Sequence, residues 1–168
     1  MPITYWTCLI GALALIGFPG FAGFFSKDAL IEAVELSTLP AARYGYWCVL
    51  IGVFVTAFYT FRLVFMTFHG QERMDEHTRE HLHESPWVVT LPLVLLAIPS
   101  VVIGWPAIGS LLFGDYFGNA VYVAPAHDVL SRLGEHYHGP MAFVQHGLSS
   151  PILGLAAERH VGLSTFVS

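Results

Sequence analysis

The sequence has 168 residues, of which 55% are hydrophobic and only 11% are charged, and its net charge at pH 7 is −5. Charged residues make up about 25% of ordinary soluble domains, so this composition excludes a cytosolic enzyme and a disordered tail. The basic residues are scattered singly, which excludes a nucleic-acid partner. The two cysteines, Cys8 and Cys48, are too few for a disulfide framework or a metal cluster.

Long apolar runs predict three membrane-spanning helices, at about residues 3–36, 44–68 and 86–108. Each run is long enough to cross a bilayer core of about 30 Å, which requires ~20 apolar helical residues. The predicted fold class is therefore all-α integral membrane. Polar residues interrupt a fourth run, so residues 116–168 are predicted to hold a polar loop and an incomplete C-terminal helix, and residues 1–115 to hold the membrane helices.

The distribution of arginine predicts the orientation of these spans in the bilayer. With three crossings, Met1 and the loop 69–84 lie on one side, and the segment 115–138 lies on the other. Because short cytoplasmic loops are enriched in Lys and Arg, the side with more arginine is predicted to be cytoplasmic. That is the Met1 side, by a small margin: it carries Arg73 and Arg79, with Arg62 near it, against Arg43 and Arg132 opposite.

The first span contains the segment most informative about function, a predicted break at about residues 17–23. Pro19 removes a backbone donor, and glycines at 17, 20 and 23 lower helix propensity by up to ~1 kcal/mol each. Within a bilayer, broken helices survive where protein or trapped water satisfies the freed backbone groups, and such breaks line polar cavities in transporters. The break therefore marks a candidate ion pathway.

Lys27, the only lysine in the chain, follows the break and is the best candidate for a protonatable relay group. A lysine ammonium can lose its proton when it is desolvated, whereas an arginine cannot. Asp28, Glu32 and Glu35 share one face of the continuing helix and could supply counter-charge. The alternative is an ordinary wet helix boundary, with Ser26 as the N-cap and Lys27 and Asp28 at the membrane interface.

The histidines suggest a metal site less strongly. His77 and His81 would share a helical face, with His83 nearby, and imidazole is a good zinc ligand. The surrounding loop is rich in Glu and Arg, which is typical of solvated surface, so we expect no metal site. The G-x-x-G-x-x-G spacing at 17–23 is neither a dinucleotide nor a phosphate-binding fingerprint, because it lies inside an apolar span.

Three motifs together resemble one family. They are Met-Pro-Ile-Thr-Tyr-Trp-Thr at 1–7, Gly-Phe-Pro-Gly-Phe-Ala-Gly-Phe-Phe-Ser-Lys-Asp at 17–28, and Tyr-Thr-Phe-Arg-Leu-Val-Phe-Met-Thr-Phe-His-Gly at 59–70. The likeness is to subunit L of the bacterial proton-pumping NADH:quinone oxidoreductase, respiratory complex I, and to its mitochondrial chain 5 homologues. It covers about residues 1–115. It implies that residues 3–36 are the family's discontinuous helix, with Lys27 as a proton relay and Asp28 as its neighbouring acid.

The resemblance also implies where the chain works. It would be a multi-pass protein of the bacterial inner membrane, with other membrane-arm subunits of complex I and the lipid bilayer as partners. The chain would count as an enzyme only as a subunit of a translocase, which couples quinone reduction elsewhere to proton transfer. Flavin, iron–sulfur clusters and quinone would be held by other subunits of the complex, and no cofactor by this chain.

Two other functions stay open from the sequence. One is a subunit of a cation/proton antiporter or of a membrane-bound hydrogenase, whose large subunits share the same ancestry. The other is a membrane scaffold or a non-functional remnant, in which the break and the polar loops serve packing alone. Family subunits are several times longer than 168 residues, so we expect the chain to be a C-terminal fragment of such a subunit.

Overall fold

The computed structural model describes residues 1–71, 74–81, 83–120, 123–135 and 137–149, and every regular element within them is helical. The first long helices are separated by short connections, and the later helices by longer loops that include 3₁₀ turns at 118–120 and 125–127. The α-helices are α1 (Pro2–Ile16), α2 (Ala22–Glu35), α3 (Ala42–Val64), α4 (Glu76–Glu80), α5 (Trp87–Val102), α6 (Gly104–Leu112), α7 (Val129–Glu135) and α8 (Pro140–Ser149).

The predicted first span consists of two helices, α1 and α2, with an interruption at residues 17–21. Gly17 ends α1 in the left-handed conformation, with φ at 81°, a geometry that glycine adopts without steric cost. Its N–H and that of Phe18 bond to carbonyls of the last turn of α1. Ser26 is not an N-cap, because α2 begins four residues before it and the Ser26 hydroxyl donates to the Gly23 carbonyl at 3.2 Å.

Only one continuous helix in the described part of the chain is long and apolar enough to cross a membrane by itself. It is α3 with the π-helical turn Phe65–His69, together 28 residues. Helices α5 and α6 pass the same test only as a pair, since they are bent by 60° at their junction. Pro106 accounts for a bend here, because it has no N–H to donate to the carbonyl four residues earlier. The expected count of three spans is therefore not confirmed.

The packed core lies where α2 meets α6, α7 and α8. Phe24 and Phe25 of α2 contact the ring of Phe143 from α8, and Ile108 and Leu133 complete the cluster from α6 and α7. By contrast, α3 and α5 expose large apolar side chains, as lipid-facing helices do. Examples of these exposed side chains are Tyr44, Phe54, Trp87 and Leu96.

Helix α8 coincides with the start of the predicted incomplete fourth helix, and residues 150–168 lie outside the described residues. So does Arg73, on which the predicted orientation partly depended. The boundary at residue 115 falls in a loop after α6, and the division of the chain at that residue stays a prediction.

Candidate functional site

The helix break leaves the Leu15 carbonyl without its helical donor, and Lys27 supplies a donor in its place. In a continuous helix the Leu15 carbonyl would accept from the N–H of residue 19, but residue 19 is proline. The Lys27 ammonium donates to this Leu15 carbonyl instead. The aliphatic stem of Lys27 crosses Gly17, where an added Cβ would lie 3.2 Å from the lysine Cδ. Lys27 is therefore tied to the break itself, with its side chain partly exposed.

Two further contacts fix the shape of the break. The indole N–H of Trp105 in α6 donates to the Gly20 carbonyl at 2.8 Å, so a second freed carbonyl also has a donor. Gly23 lies so close to α1 that an added Cβ would collide with the Ala14 carbonyl oxygen. Side chains thus satisfy two of the freed carbonyls, those of Leu15 and Gly20, as a broken helix within a membrane requires.

Asp28 is buried one residue further along, with only 7% of its surface exposed. Its carboxylate faces α8, where an added Cβ on Gly147 would lie 2.5 Å from Oδ2. Oδ2 has no hydrogen-bond partner in the described structure. A buried polar atom without a donor costs free energy, and such atoms are rare in native proteins. Asp28 is therefore suited to carry a proton, because the protonated carboxyl is neutral and does not leave a buried negative charge without a donor.

Glu32 follows Asp28 by one helical turn and contacts α8 through the imidazole of His146. Its Oε1 lies 2.9 Å from Nδ1 of His146. The Glu32 side chain is 15% exposed and the His146 side chain 60% exposed, so the pair extends from the protein interior to its surface. Both groups act electrostatically on the Asp28 carboxyl. Together these three residues form a polar group between α2 and α8, which we call the α2–α8 cluster.

The predicted site residues are thus separated into two environments. Lys27 contacts the break in α1, and Asp28 contacts α8; within the described ranges the two make no ion pair with each other. Residues adjacent in a helix point about 100° apart, which explains the separation. Of the three acids predicted to share a face, Asp28 and Glu32 join the cluster, whereas Glu35 is exposed.

A second polar site lies at the opposite end of α1. The Glu84 carboxylate accepts from the backbone N–H groups of Ile3 and Thr4 at 3.0 and 3.2 Å, and from the Thr4 hydroxyl at 2.5 Å. The hydroxyl donor, followed by the two backbone donors, holds the pKa of Glu84 below its ordinary value. Tyr5 Oη lies 3.4 Å from Nε2 of His69 nearby. This end of α1 is therefore capped by the loop before α5.

The histidine-rich loop does not assemble a metal site among the residues described. No group of three His, Cys, Asp or Glu side chains there is placed to hold an ion. The rings of His77 in α4 and His81 just after it lie 4.8 Å apart, and Nδ1 of His83 lies 2.7 Å from the His81 carbonyl oxygen.

Three contributors to these sites were not identified from the sequence: His146, Trp105 and Glu84. Glu84 and Trp105 act over 80 or more residues of separation, which no local pattern reports. His146 did leave a signal, because it interrupts an otherwise apolar run. An ionisable residue in such a run is a site candidate, and here the chain also offers a helix with several acids as its partner.

Comparison with known proteins gives one family match. Residues 1–60 match the family described as "NADH:quinone oxidoreductase/Mrp antiporter, TM". This match includes the break, Lys27, Asp28 and Glu32. It does not extend to His146.

Individual relatives cover more of the chain. NADH-quinone oxidoreductase subunit L of Neisseria meningitidis serogroup A is 51% identical over 93% of this chain and 26% of its own length. NADH-ubiquinone oxidoreductase chain 5 of Chondrus crispus is 37% identical over 80% of the chain and 21% of its own length, and that of Marchantia polymorpha is 32% identical over 79% and 20%. The chain spans about a quarter or less of the length of these relatives. It is therefore homologous, over nearly all of its residues, to a stretch of subunit L of NADH-quinone oxidoreductase.

Proposed function

We propose that the chain is part of the membrane-arm subunit that translocates protons in a bacterial NADH:quinone oxidoreductase. The homology supports this assignment, and the observation that carries it is the buried Asp28 carboxyl with an unpartnered oxygen, one residue after Lys27 in a broken helix. Ionisable residues are costly inside membranes, and in such places they mark ion and proton pathways.

In this proposal the chain crosses the bilayer three times. Helices α1 and α2 form one broken span, since the 15 residues of α1 cover only about 22 Å of a core about 30 Å thick. Helix α3 forms the second span, and the bent pair α5 and α6 the third. The Met1 side faces the cytoplasm, which directs α2 and its charges toward the outer half of the membrane.

Lys27 and Asp28 have different tasks in this pathway. The Leu15 carbonyl stabilises the charged ammonium of Lys27, and the loss of one proton leaves an amine that can take up another. Asp28 holds its proton in an apolar surrounding and can exchange it with a neighbouring group. Flavin, iron–sulfur clusters and quinone belong to other subunits of the complex, whose redox reactions drive the transfer, and the other membrane-arm subunits and the lipid are the partners.

Two substitutions of Lys27 test the proposal in membrane vesicles that contain the assembled complex. Lys27→Arg keeps a cation and donors for the Leu15 carbonyl, but a guanidinium does not release its proton near neutral pH. Lys27→Met removes both the donor and the proton. We expect both variants to lower the number of protons pumped per NADH oxidised, while Lys27→Arg leaves the amount of assembled complex unchanged.

The outcome of the arginine variant separates a relay from a structural role. If Lys27→Arg pumps as well as the wild type and only Lys27→Met is impaired, the lysine serves to hold the helix break closed. The chain would then be a membrane scaffold at this position, and the proposed relay would be wrong.

The second candidate function is a subunit of a cation/proton antiporter, because the matched family description names Mrp antiporters as well as the oxidoreductase. Vesicles that contain the complex distinguish the two. Proton movement driven by NADH supports the oxidoreductase, whereas proton movement driven by a Na⁺ gradient without NADH supports the antiporter.

A further inference from the structure

The α2–α8 cluster forms a graded route from the protein interior to its surface. Asp28 is the buried end, Glu32 is the intermediate group with 15% of its side chain exposed, and His146 is the outer end with 60% exposed. The two carboxyl groups lie one turn apart on the same face of α2, and the Glu32 Oε1–His146 Nδ1 distance of 2.9 Å is a hydrogen-bond distance.

We propose that His146 is the surface proton-transfer residue of this site, and that protons pass between it and Asp28 through Glu32. The inference rests on the proposed function, and it adds a residue from α8, which lies outside the matched family segment at 1–60. Histidine suits this position because it is the side chain whose unperturbed protonation changes between pH 5 and 8.

The transfer involves O–H and N–H bonds alone. When a side-chain rotation or a bridging water brings the two carboxyl groups into hydrogen-bond reach, protonated Asp28 gives its proton to the Glu32 carboxylate, and the Asp28 carboxylate remains. Glu32 then gives the proton from Oε1 to Nδ1 of neutral His146, whose hydrogen is on Nε2, and the imidazolium releases the Nε2 proton to water. Exchange of the remaining proton from Nδ1 to Nε2 through water restores the acceptor for the next cycle. No electron is transferred, and each group can accept a new proton for the next cycle.

The packing around the cluster favours this route over direct contact of Asp28 with water. The Phe24 ring lies beside the carboxyl at the Gly147 position, and Phe24 contacts Phe143 of α8 in a buried core that also contains Ile108 and Leu133. Gly147 brings the α8 backbone against Oδ2, because any side chain at this position would occupy the space of the carboxyl. The polar exit that the described residues offer Asp28 is therefore the Glu32–His146 pair.

Two substitutions at residue 146 distinguish proton transfer from a purely structural ion pair. His146→Gln keeps a hydrogen-bond donor for Glu32 but has no exchangeable acid proton. His146→Glu keeps a protonatable group but places a second carboxyl against Glu32, which weakens the tie between the helices. If His146 transfers protons, His146→Glu should pump better than His146→Gln. If the pair is only structural, His146→Gln should pump as well as His146→Glu or better.

The measurement is the number of protons pumped per NADH oxidised in vesicles, normalised to the amount of assembled complex. We expect His146→Gln to pump about tenfold less than the wild type, since a positioned acid–base group contributes 10²-fold or more to proton transfer. His146→Glu should pump better than His146→Gln per assembled complex. His127→Gln, an exposed histidine in the loop before α7, is the matched control and should pump normally.

If His146→Gln pumps as well as His146→Glu or better, the inference is overturned and the pair serves only to hold α8 against α2. Lys27→Arg in the same membranes separates this failure from that of the proposed function. Loss of pumping in Lys27→Arg with normal pumping in His146→Gln would overturn the role of His146 alone, whereas normal pumping in both would overturn both proposals.

Discussion

Two carboxylates lie in opposite surroundings along the helix pair α1 and α2, Glu84 against the start of α1 and Asp28 within α2. Glu84 accepts three hydrogen bonds at the start of α1, two of them from backbone N–H groups that the helix leaves free. Asp28, within α2, has one oxygen that no described donor reaches, and it is more deeply buried. Both carboxylates lie along the same pair of helices, yet Glu84 has donors on both oxygens and Asp28 has one oxygen without a donor.

The comparison shows what separates a structural acid from a candidate functional one. A carboxylate that is fully supplied with donors is stabilised in its ionised form and gains nothing from a proton. A buried carboxylate that lacks a hydrogen-bond donor is stabilised when it binds a proton and becomes neutral. Hydrogen-bond satisfaction therefore makes Glu84 a helix cap, and the missing donor makes Asp28 the candidate for the proposed proton exchange.

The largest effect is expected from Gly147→Ala, which changes the surroundings of Asp28 without touching its chemistry. The added Cβ would lie 2.4 Å from Phe24 Cζ, 2.5 Å from Asp28 Oδ2 and 3.1 Å from its Cγ, so α8 must move away or both the Phe24 ring and the carboxyl must shift. Overpacking of this kind costs about 1–3 kcal/mol. We expect less assembled complex and lower pumping per complex, measured by quantitative blotting and by proton uptake in vesicles.

Gly11→Ala is the matched control for this substitution. Gly11 is a helical glycine whose added Cβ would meet nothing within 4 Å, so alanine there should leave assembly and pumping unchanged. Equal behaviour of the two alanine variants would mean that α8 does not press against Asp28.

A smaller effect is expected from Glu84→Gln, which tests the structural side of the comparison. The pKa of Glu84 is lowered in the folded chain, so its contribution to the free energy of unfolding is present above the ordinary glutamate pKa. That contribution is lost as the pH falls through the lowered value. The wild-type chain in detergent should therefore melt at a higher temperature than Glu84→Gln at neutral pH, and the difference should vanish in acid.

Thermal melting followed by circular dichroism at several pH values measures this difference. Glu80→Gln, an exposed glutamate in α4, is the matched control. A difference in melting temperature between wild type and Glu84→Gln that is the same at neutral and acidic pH would show that the carboxylate charge is not what caps α1.

The sequence predicted the helical class and the position of the break, because glycine and proline act on the backbone locally. Leu15 loses its helical donor at Pro19 whatever the rest of the chain does. Pro92, Pro99 and Pro106 predict kinks in the third apolar run, but not the 60° change of direction between α5 and α6, nor a helix that continues to Leu112. Prolines alone do not determine whether neighbouring helices accommodate a kink or a change of direction.

The sequence predicted only the part of the candidate site that depends on local features. Lys27 and Asp28 stand out because charges are rare in this chain, but their separate contacts depend on which helices pack against each face of α2. The partner of Glu32 comes from residue 146, more than 100 residues away, and hydrophobic periodicity carries no information about such a pairing. Tertiary packing, rather than local pattern, decides which acids have donors.

The most direct test of the account compares Asp28→Asn with Glu84→Gln in the assembled complex. Both variants replace a carboxylate by an amide of nearly the same shape, and the measurement is the number of protons pumped per NADH oxidised in vesicles. We predict that Asp28→Asn pumps fewer protons at unchanged complex abundance and that Glu84→Gln pumps the normal number per assembled complex. Normal pumping by Asp28→Asn would contradict the assignment of a proton-exchanging role to this buried acid.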